Sequence, residues 1–452
     1  TRGHGKDYAL KVRGDSMKNA GIFESDTVII REQPIVHNGQ IGVAIVNGNE
    51  ATLKRIYKEK NAVRLQPANK DYKPLLTRNV EIRGLVTGVL RSRFDPLPKP
   101  AQLPLFIYPQ KNEQLLQIHN RRFLGNKAKL LGFIGDIVAD KCRGYYSFCD
   151  IFAGTGVVGH YFNRPDTKII SNDILDSSYT SLRCWLNTKN YNREKISNII
   201  IHLNGLQPKK ENYVSEIFGG LYFTKENAQK IGAVREEIDR LEKTNEISQE
   251  EKKILLTSLI YAVDKVANTV GHYETYRKKL DTIQSLRLLL PDIDPKNNQH
   301  NEIYQKDANQ LAREIACDVL YIDPPYNSRQ YGDSYHLLEN IVTWEKPKVE
   351  GVAKKMINRE HLKSRYCLKG AVYAFEDLIQ NAKAKHILVS YNNTGEKMNE
   401  RSNAKIPDNR IIEILKDRGD VEVFERDYKA FTTGKSEAPN HAERVFYCKV
   451  TK

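Results

Sequence analysis

An apolar run that stops at two consecutive prolines constrains the fold of this chain more than any other feature. Val319 to Ile322 has the length and character of a short buried strand. Pro324 and Pro325 end that strand, because proline has no amide hydrogen for a sheet ladder. Asp323 and Tyr326 should therefore emerge where the strand ends. A carboxylate, backbone carbonyls and an aromatic ring together form a receptor for a flat group with an amino substituent, such as a nucleobase.

Length and charge indicate more than one domain and a polyanionic partner. The chain has 452 residues, whereas single cores rarely grow beyond about 250 to 300 residues. Its 71 Lys and Arg exceed its 56 Asp and Glu, which gives a net charge of +15 and favours nucleic acid as a partner. The sequence has no apolar run near the roughly 20 residues that span a bilayer and no signal peptide, so we expect no membrane contact and a cytoplasmic location.

The cysteines favour a reduced protein without structural metal. They are scattered, with no Cys-x-x-Cys pair and no histidine at zinc-ligand spacing. We therefore expect reduced core residues at all six positions: Cys142, Cys149, Cys184, Cys317, Cys367 and Cys448.

The first part of the chain predicts a small all-β domain. Residues 8–91 form short β segments separated by Gly, Asn, Asp and Pro turns. Ser16 follows one strand, and Lys54 is expected at the end of another, in Ala51-Thr52-Leu53-Lys54-Arg55. A serine beside a desolvated, neutral lysine forms a nucleophile and base pair, although each residue alone is more often a turn serine or a solvated lysine.

Four segments in order resemble the C-terminal domain of LexA-type and UmuD-type self-cleaving proteins: Gly14-Asp15-Ser16-Met17-Lys18, Asn38-Gly39-Gln40, Thr52-Leu53-Lys54-Arg55 and Leu65-Gln66-Pro67-Ala68-Asn69. The resemblance implies Ser16 as nucleophile, Lys54 as general base and a scissile loop upstream. Only fifteen residues precede Ser16, and that loop is not among them. Three interpretations stay open: a cut already made, a target further upstream, or a domain that pairs subunits.

The remaining chain predicts an α/β domain. We assign residues 1–94 to the all-β domain, 95–112 to a proline-rich linker, and 113–452 to alternating helices and strands around a mostly parallel sheet. A helical insertion is expected at about 190–300, with helices near 228–241 and 250–270.

Two strand ends in this domain predict a nucleotide-like ligand. The strand at 145–152 begins a turn with Gly154 and Gly156, where small residues let backbone amides approach a ligand. The strand that starts at Lys168 ends in Asp173, and a carboxylate at that place can accept two ribose hydroxyls.

Asp323-Pro324-Pro325-Tyr326 resembles the catalytic motif of amino-group DNA methyltransferases. Two more segments are similar to Dam-like and FokI-like adenine methyltransferases: Phe123-Leu124-Gly125-Asn126-Lys127 and Phe152-Ala153-Gly154-Thr155-Gly156. The resemblance implies a Rossmann-like domain that binds S-adenosylmethionine. It places Lys127 on the methionine carboxylate, Asp150 at the methionine amine, Asp173 on the ribose and Asp307 at the adenine. The implied pocket also contains Phe123, Phe152, Gly154 and Gly156.

The implied reaction is direct methyl transfer to N6 of an adenine flipped from duplex DNA, in a restriction-modification system. Asp323 and the Pro324 carbonyl would accept hydrogen bonds from the amino group, and Tyr326 would stack on the base. An RNA adenine and a cytosine amino group stay open as targets, although Asp at position 323 favours adenine in the family.

The candidate partners are duplex DNA, a second copy through the N-terminal domain, and a cognate restriction endonuclease. Residues 268–279 and 327–335, including Arg329, combine aromatic, amide and cationic side chains that suit contact with DNA. The later strand at 386–393, with a Ser-Tyr-Asn end, resembles one that lines the base pocket. Two competing interpretations are a self-cleaving regulator that uses Ser16 and Lys54, and a fusion in which the N-terminal domain only pairs or solubilises.

Overall fold

A computed structural model describes residues 7–24, 26–33, 36–46, 50–59, 62–77, 79–90, 115–280, 284–326, 328–392, 405–427 and 442–452. The chain divides into two compact units, Thr1–Glu113 and Gln114–Lys452. The predicted linker at 95–112 lies outside the described residues. Within the described part, no helix is long and apolar enough to cross a membrane.

The N-terminal unit is a seven-stranded antiparallel sheet, which confirms the predicted all-β domain. Its strand order is β1-β2-β7-β3-β4-β5-β6, where the strands are β1 (Asp7–Lys11), β2 (Thr27–Glu32), β3 (Ile41–Val46), β4 (Glu50–Lys58), β5 (Val63–Gln66), β6 (Leu75–Thr77) and β7 (Val80–Leu90). Lys54 lies in the middle of β4, so its predicted position at a strand end is wrong. The error arose because Arg55 and Lys58 interrupt the apolar alternation, although β4 continues to pair with β5 through Lys58.

The C-terminal unit contains a second seven-stranded sheet, which confirms the predicted mostly parallel α/β domain. Its order is β10-β9-β8-β11-β14-β16-β15, where the strands are β8 (Ser147–Asp150), β9 (Lys168–Asn172), β10 (Glu302–Tyr304), β11 (Ala316–Ile322), β14 (Lys383–Asn392), β15 (Gly419–Asp427) and β16 (Ala442–Val450). Only β16 runs against its two neighbours among these described strands. A separate hairpin pairs β12 (Val349–Glu350) with β13 (Lys355–Met356).

Helices cover both faces of this sheet, and each face has its own hydrophobic core. The central strand contributes to both cores, because successive residues of a strand point to opposite sides. In β11, Val319 and Tyr321 join one hydrophobic core, and Leu320 and Ile322 join the other. The helices are α1 (Leu131–Lys141), α2 (Val157–Phe162), α3 (Asp176–Leu182), α4 (Arg193–Gly205), α5 (Tyr213–Phe218), α6 (Lys225–Lys243), α7 (Gln249–Val266), α8 (Ala308–Glu314), α9 (Tyr331–Ser334), α10 (His336–Thr343), α11 (Ala371–Asn381) and α12 (Asp408–Lys416).

The predicted insertion contains α4 to α7, which pack their apolar faces into the first of these cores. A capping box between Ser248 and Glu251 starts α7. The helix ends at Val266 rather than Val270 as the apolar pattern suggested, because the Asn268 amide donates to the Tyr222 carbonyl instead of continuing the helix.

All six cysteines are free thiols, and five of them are buried. Among the residues that the structure describes, no group of three or more His, Cys, Asp or Glu side chains is arranged to hold a metal ion.

Candidate active site

A cleft lies at the carboxyl ends of the parallel strands, where β11 ends in the predicted catalytic motif. The β11 strand pairs with β8 on one side and β14 on the other, so Asp323, Pro324 and Tyr326 follow directly from the middle of the sheet. Every predicted methyltransferase site residue except Gly156 lines this cleft: Phe123, Lys127, Asp150, Phe152, Gly154, Asp173, Asp307, Asp323, Pro324 and Tyr326.

Asp323 forms a largely buried ion pair with Lys127, whose Nζ lies 2.9 Å from Oδ2. Burial raises the pKa of Asp323 to about 6, and the charge of Lys127 opposes that rise. Burial alone would lower the pKa of Lys127, but Asp323 and Glu443 hold it well above its ordinary value. Both side chains are therefore charged at neutral pH. The predicted contact of Lys127 with a cofactor carboxylate stays a prediction.

Asp150 is a buried carboxylate at the end of β8, with 1% of its surface exposed. Burial, reinforced by the charge of Asp323, raises its pKa to about 8. Neither carboxylate oxygen has a hydrogen bond of normal geometry with a described residue, although the Gly159 backbone and the charge of Lys127 partly oppose the rise in pKa. The side chain therefore keeps its proton at neutral pH, because a buried anion is costly, and a cationic ligand at this position would favour the ionised form.

Asp173 fixes the glycine turn that forms the cleft floor. Its carboxylate accepts from the Gly154 and Leu175 amides, both at 2.9 Å, while burial raises its pKa to about 6. Gly156 has φ +82°, and a Cβ there would lie 2.6 Å from Leu182 Cδ2. Gly156 therefore turns the chain into α2 and allows close packing, and it is not among the residues that line the cleft.

Aromatic rings hold the Phe123 to Lys127 segment in place. Phe123 stacks on Tyr335 with 4.5 Å between ring centroids and a 6° interplanar angle. The Leu124 amide donates to the Tyr335 hydroxyl at 2.7 Å, and the Tyr331 hydroxyl donates to the Leu124 carbonyl at 3.1 Å. The segment is thus bonded to α9 and the residue after it, which follow the catalytic motif in sequence.

Residues 362–366 form a wall of the cleft that the sequence did not reveal. Tyr366 packs edge-on against Phe152 with 5.0 Å between centroids. Arg365 Nη2 lies 3.3 Å from Asp307 Oδ1, and Asp307 also caps the start of α8. The basic character of 359–369 was the one available signal, and it gives no indication of which cleft the segment reaches.

The base side of the cleft is formed by Tyr326 and a neighbouring ring. Tyr391, at the end of β14, meets Tyr326 edge-on at 6.0 Å. The Lys405 amide donates to the Tyr326 carbonyl at 2.9 Å. Asn393, the last residue of the predicted strand, and Asn327 in the predicted DNA loop lie outside the described residues.

Much of the 268–279 segment is occupied by packing. Asn268 and Tyr273 are buried, and the Tyr273 hydroxyl donates to Asp264 at 2.6 Å. The Tyr273 amide donates to the Ser334 carbonyl at 2.7 Å, so the segment supports α9. Val270 within the segment and Arg329 in the predicted DNA loop are exposed.

In the N-terminal unit, Lys54 Nζ lies 2.9 Å from Ser16 Oγ. Burial lowers the pKa of Lys54. The Thr52 hydroxyl at 2.9 Å and the Leu53 carbonyl at 3.0 Å hold the same amine in place. This arrangement suits transfer of a proton from serine to lysine.

Residues 1–87 match a family model described as Peptidase S24-like. The chain is 48% identical over 84 residues to the LexA repressor of Bacillus mycoides (strain KBAB4), which covers 19% of this chain and 41% of the repressor. The N-terminal unit thus has LexA-like homology, as its sequence predicted.

The larger unit matches methyltransferases. The chain is 33% identical over 334 residues to the type II methyltransferase M.NlaIII of Neisseria lactamica, covering 71% of this chain and 95% of that enzyme. It is 34% identical over 349 residues to the type II methyltransferase M.FokI of Planomicrobium okeanokoites, of which it spans about half, 52%. Residues 123–402 match the family model, and the chain belongs to the D12 class N6 adenine-specific DNA methyltransferases.

Proposed function

We propose that this cleft binds S-adenosylmethionine on one side and a flipped adenine of duplex DNA on the other, and transfers the methyl group to N6. One observation carries the proposal: Asp323 and Pro324, at the end of β11, open into the same cleft as Asp150 and Asp173. Strand ends of open α/β sheets are where such ligands bind.

The cofactor fits the residues present. Asp150 lines the cleft, and its buried carboxylate lacks a described hydrogen-bond partner. This carboxylate would bind the methionine amine. Asp173 would accept hydrogen bonds from the ribose hydroxyls, and Asp307 would contact the adenine of the cofactor. Phe123 and Phe152 would pack against the planar groups of the cofactor. When bound, S-adenosylmethionine supplies a methyl group already activated by its sulfonium.

The chain then has to align and activate the acceptor nitrogen. The lone pair of adenine N6 is delocalised into the ring. Hydrogen bonds from that amino group to Asp323 and the Pro324 carbonyl localise the lone pair, and Tyr326 stacks on the base. Alignment with exclusion of water supplies most of the remaining acceleration.

Lys127 has two roles in this account. It keeps Asp323 ionised, because its ammonium offsets the cost of burying that carboxylate. Its ammonium also donates to the Gly125 carbonyl at 3.2 Å, and the one remaining N–H donor would bind the carboxylate of the methionine moiety.

We further propose that the enzyme is the modification partner of a restriction endonuclease and acts in the cytoplasm. Support comes from relatives named as type II methyltransferases and modification methylases. The recognition sequence would follow from sequencing methylated DNA.

The proposal is tested by Asp323→Ala in a transfer assay with duplex DNA and radiolabelled cofactor. We expect transfer to be lost while cofactor affinity stays within a few-fold of wild type. Substantial methylation by the variant would contradict the mechanism.

A second function, self-cleavage, is favoured by the 2.9 Å contact of Ser16 with Lys54. In its neutral form, which burial favours, the Lys54 amine would take the Ser16 proton as Oγ attacks a peptide carbonyl, and the protonated amine would return that proton to the leaving amine. A chain extended upstream of Thr1 and incubated at alkaline pH should be cut, as mass spectrometry would reveal. The Lys54→Ala variant should stay intact, and an intact wild-type chain would refute the activity.

The N-terminal unit is also a candidate for pairing two copies of the chain. Light scattering after deletion of residues 1–94 tests this role, because an unchanged oligomeric state would contradict it.

A further inference from the structure

The hairpin of β12 and β13 presents an apolar side chain to solvent on a backbone that is firmly held. Val352 lies in the turn between the two strands and is 79% exposed, the highest value among the described large apolar side chains. The next residue, Ala353, accepts a hydrogen bond at 2.9 Å from the hydroxyl of the buried Tyr222. An exposed valine contributes little to folding, because its apolar surface stays in water.

The root of the hairpin is bonded to α9, which carries the cleft residue Tyr331. Lys355 Nζ lies 3.3 Å from Asp333 Oδ2, and Arg359 Nε lies 2.6 Å from Asp333 Oδ1. Further along, Leu362 packs so closely on Gly332 that a Cβ there would lie 2.6 Å from Leu362 Cβ. The root of the hairpin is therefore joined to α9 and to the segment at Leu362, both of which supply residues that line the methyl-transfer cleft.

The segment around the hairpin is strongly basic. Residues 346–369 contain eight Lys and Arg and two Glu, a net charge of +6, whereas the whole chain carries +15. The inner cations Lys355 and Arg359 are used in ion pairs with acidic neighbours. Lys348, which directly precedes β12, and Lys354, in the turn between the two strands, form no ion pair with any described residue, which leaves their charge for a polyanion.

We propose that the segment 348–356, which contains this hairpin, is a DNA-contacting element that acts at the flipped base. Lys348 and Lys354 bind phosphates, and Val352 enters the base stack beside the target. Apolar side chains inserted between base steps stabilise unstacked DNA, and extrusion of a base leaves a gap of low polarity. The proposal rests on the proposed function and adds the element that stabilises the extruded base.

The phosphate contacts are tested by the salt dependence of binding. Each phosphate contact contributes about one unit to the slope of log affinity against log salt concentration. We expect Lys348→Gln/Lys354→Gln to lower that slope by about two and to weaken binding on the order of 10-fold. The matched control is Lys416→Gln/Lys449→Gln. These lysines lie at the amino ends of the parallel strands, away from the cleft, since Lys449 pairs with His386 near the start of β14.

The role of Val352 is tested with 2-aminopurine in place of the target adenine, because its fluorescence rises when the base leaves the stack. We expect Val352→Ala to reduce that rise and to lower kcat/KM on the order of 10-fold. An abasic site opposite the target should restore both, because it lowers the cost of extrusion. Val423→Ala, at a valine 42% exposed on β15, is the control.

The outcomes separate this inference from the proposed function. A wild-type chain that methylates no DNA would refute the proposed function. A wild-type chain that methylates DNA, with hairpin variants that match their controls in salt slope and in fluorescence, would overturn only the role of the hairpin. Cofactor affinity should be unchanged in all four variants.

Discussion

The substitution Asp150→Asn should stabilise the cofactor-free protein while weakening the cofactor. Asp150 is buried, lacks a described hydrogen-bond partner and has a pKa raised to about 8 from 3.8. A carboxyl with a raised folded-state pKa is best tolerated when protonated. Its destabilising effect is therefore absent below about pH 4, grows as the pH rises, and is complete above about pH 8.

The size of this effect follows from the pKa shift. At pH 7 the carboxyl has lost its proton in the unfolded chain and has kept it in the folded chain. The cost to folding grows by about 1.4 kcal/mol for each pH unit above the unfolded pKa, and pH 7 lies roughly three units above it. The upper limit is therefore about 4 kcal/mol at pH 7 and about 5 kcal/mol at pH 8, which lies roughly four pH units above the unfolded pKa of 3.8. Asparagine removes this cost but leaves a buried amide unpaired, as the protonated acid also is. We expect a gain of about 2 to 4 kcal/mol at pH 8 and almost none at pH 4.

Urea denaturation followed by tryptophan fluorescence measures this difference. Both tryptophans of the chain, Trp185 and Trp344, belong to the unit that contains Asp150, so the signal reports on that unit. Titration calorimetry then measures S-adenosylmethionine affinity. Loss of one charge-assisted contact should weaken it by roughly 10- to 100-fold. Asp136→Asn, at an exposed position on α1, is the control.

An equal stability difference at pH 5 and pH 8 would refute the claim that a buried anion causes the effect. Unchanged cofactor affinity would refute the assignment of Asp150 to the methionine amine.

Three further predictions concern the cleft and the glycine turn beside it. Gly156→Ala should lower the free energy of unfolding by about 1 to 3 kcal/mol, because Gly156 has a φ of +82° and its Cβ would lie 2.6 Å from Leu182. The control Gly132→Ala on α1, where nothing lies within 4 Å of the added Cβ, should be neutral or stabilising in the same denaturation assay. The methylation rate should fall as the pH drops through about 6, where Asp323 takes up a proton, and a rate that stays flat from pH 8 to pH 5 would contradict this. Tyr326→Ala should cost on the order of 1 to 3 kcal/mol in kcat/KM through lost stacking, and Tyr326→Phe should retain most activity; equal losses in both would point to the hydroxyl instead.

The parts of the fold that the sequence predicted are those with a local cause. The apolar run before Pro324, the glycine turn at Gly154 and the strand ending before Asp173 each carry their own boundary signal. Their shared position at one sheet edge follows because parallel strands place their carboxyl ends together.

The parts that it did not predict depend on contacts between distant residues. Lys127 and Asp323 are almost two hundred positions apart, and nothing near either one indicates the ion pair between them. The wall at Arg365 and the basic hairpin have charged, irregular sequences that suit any solvated surface. Only packing against α9 and Asp307 places them at the cleft.

Lys54 illustrates the same limit within one strand. Charged residues hide the period of β4, because Lys54 and Arg55 are adjacent and lie on opposite faces of the strand, so that neither face has a continuous apolar pattern. The sequence therefore indicated the partnership with Ser16 through family resemblance, and the pairing of β4 with β3 and β5 shows how the strand positions it.

Single-molecule sequencing of DNA from cells that express the chain tests the central claim most directly, because it reports both the modified base and its sequence context. We predict N6-methyladenine at one recurring sequence in cells with the wild-type chain and none in cells with Asp323→Ala. Methylation of cytosine, or the same adenine methylation in both strains, would contradict the account.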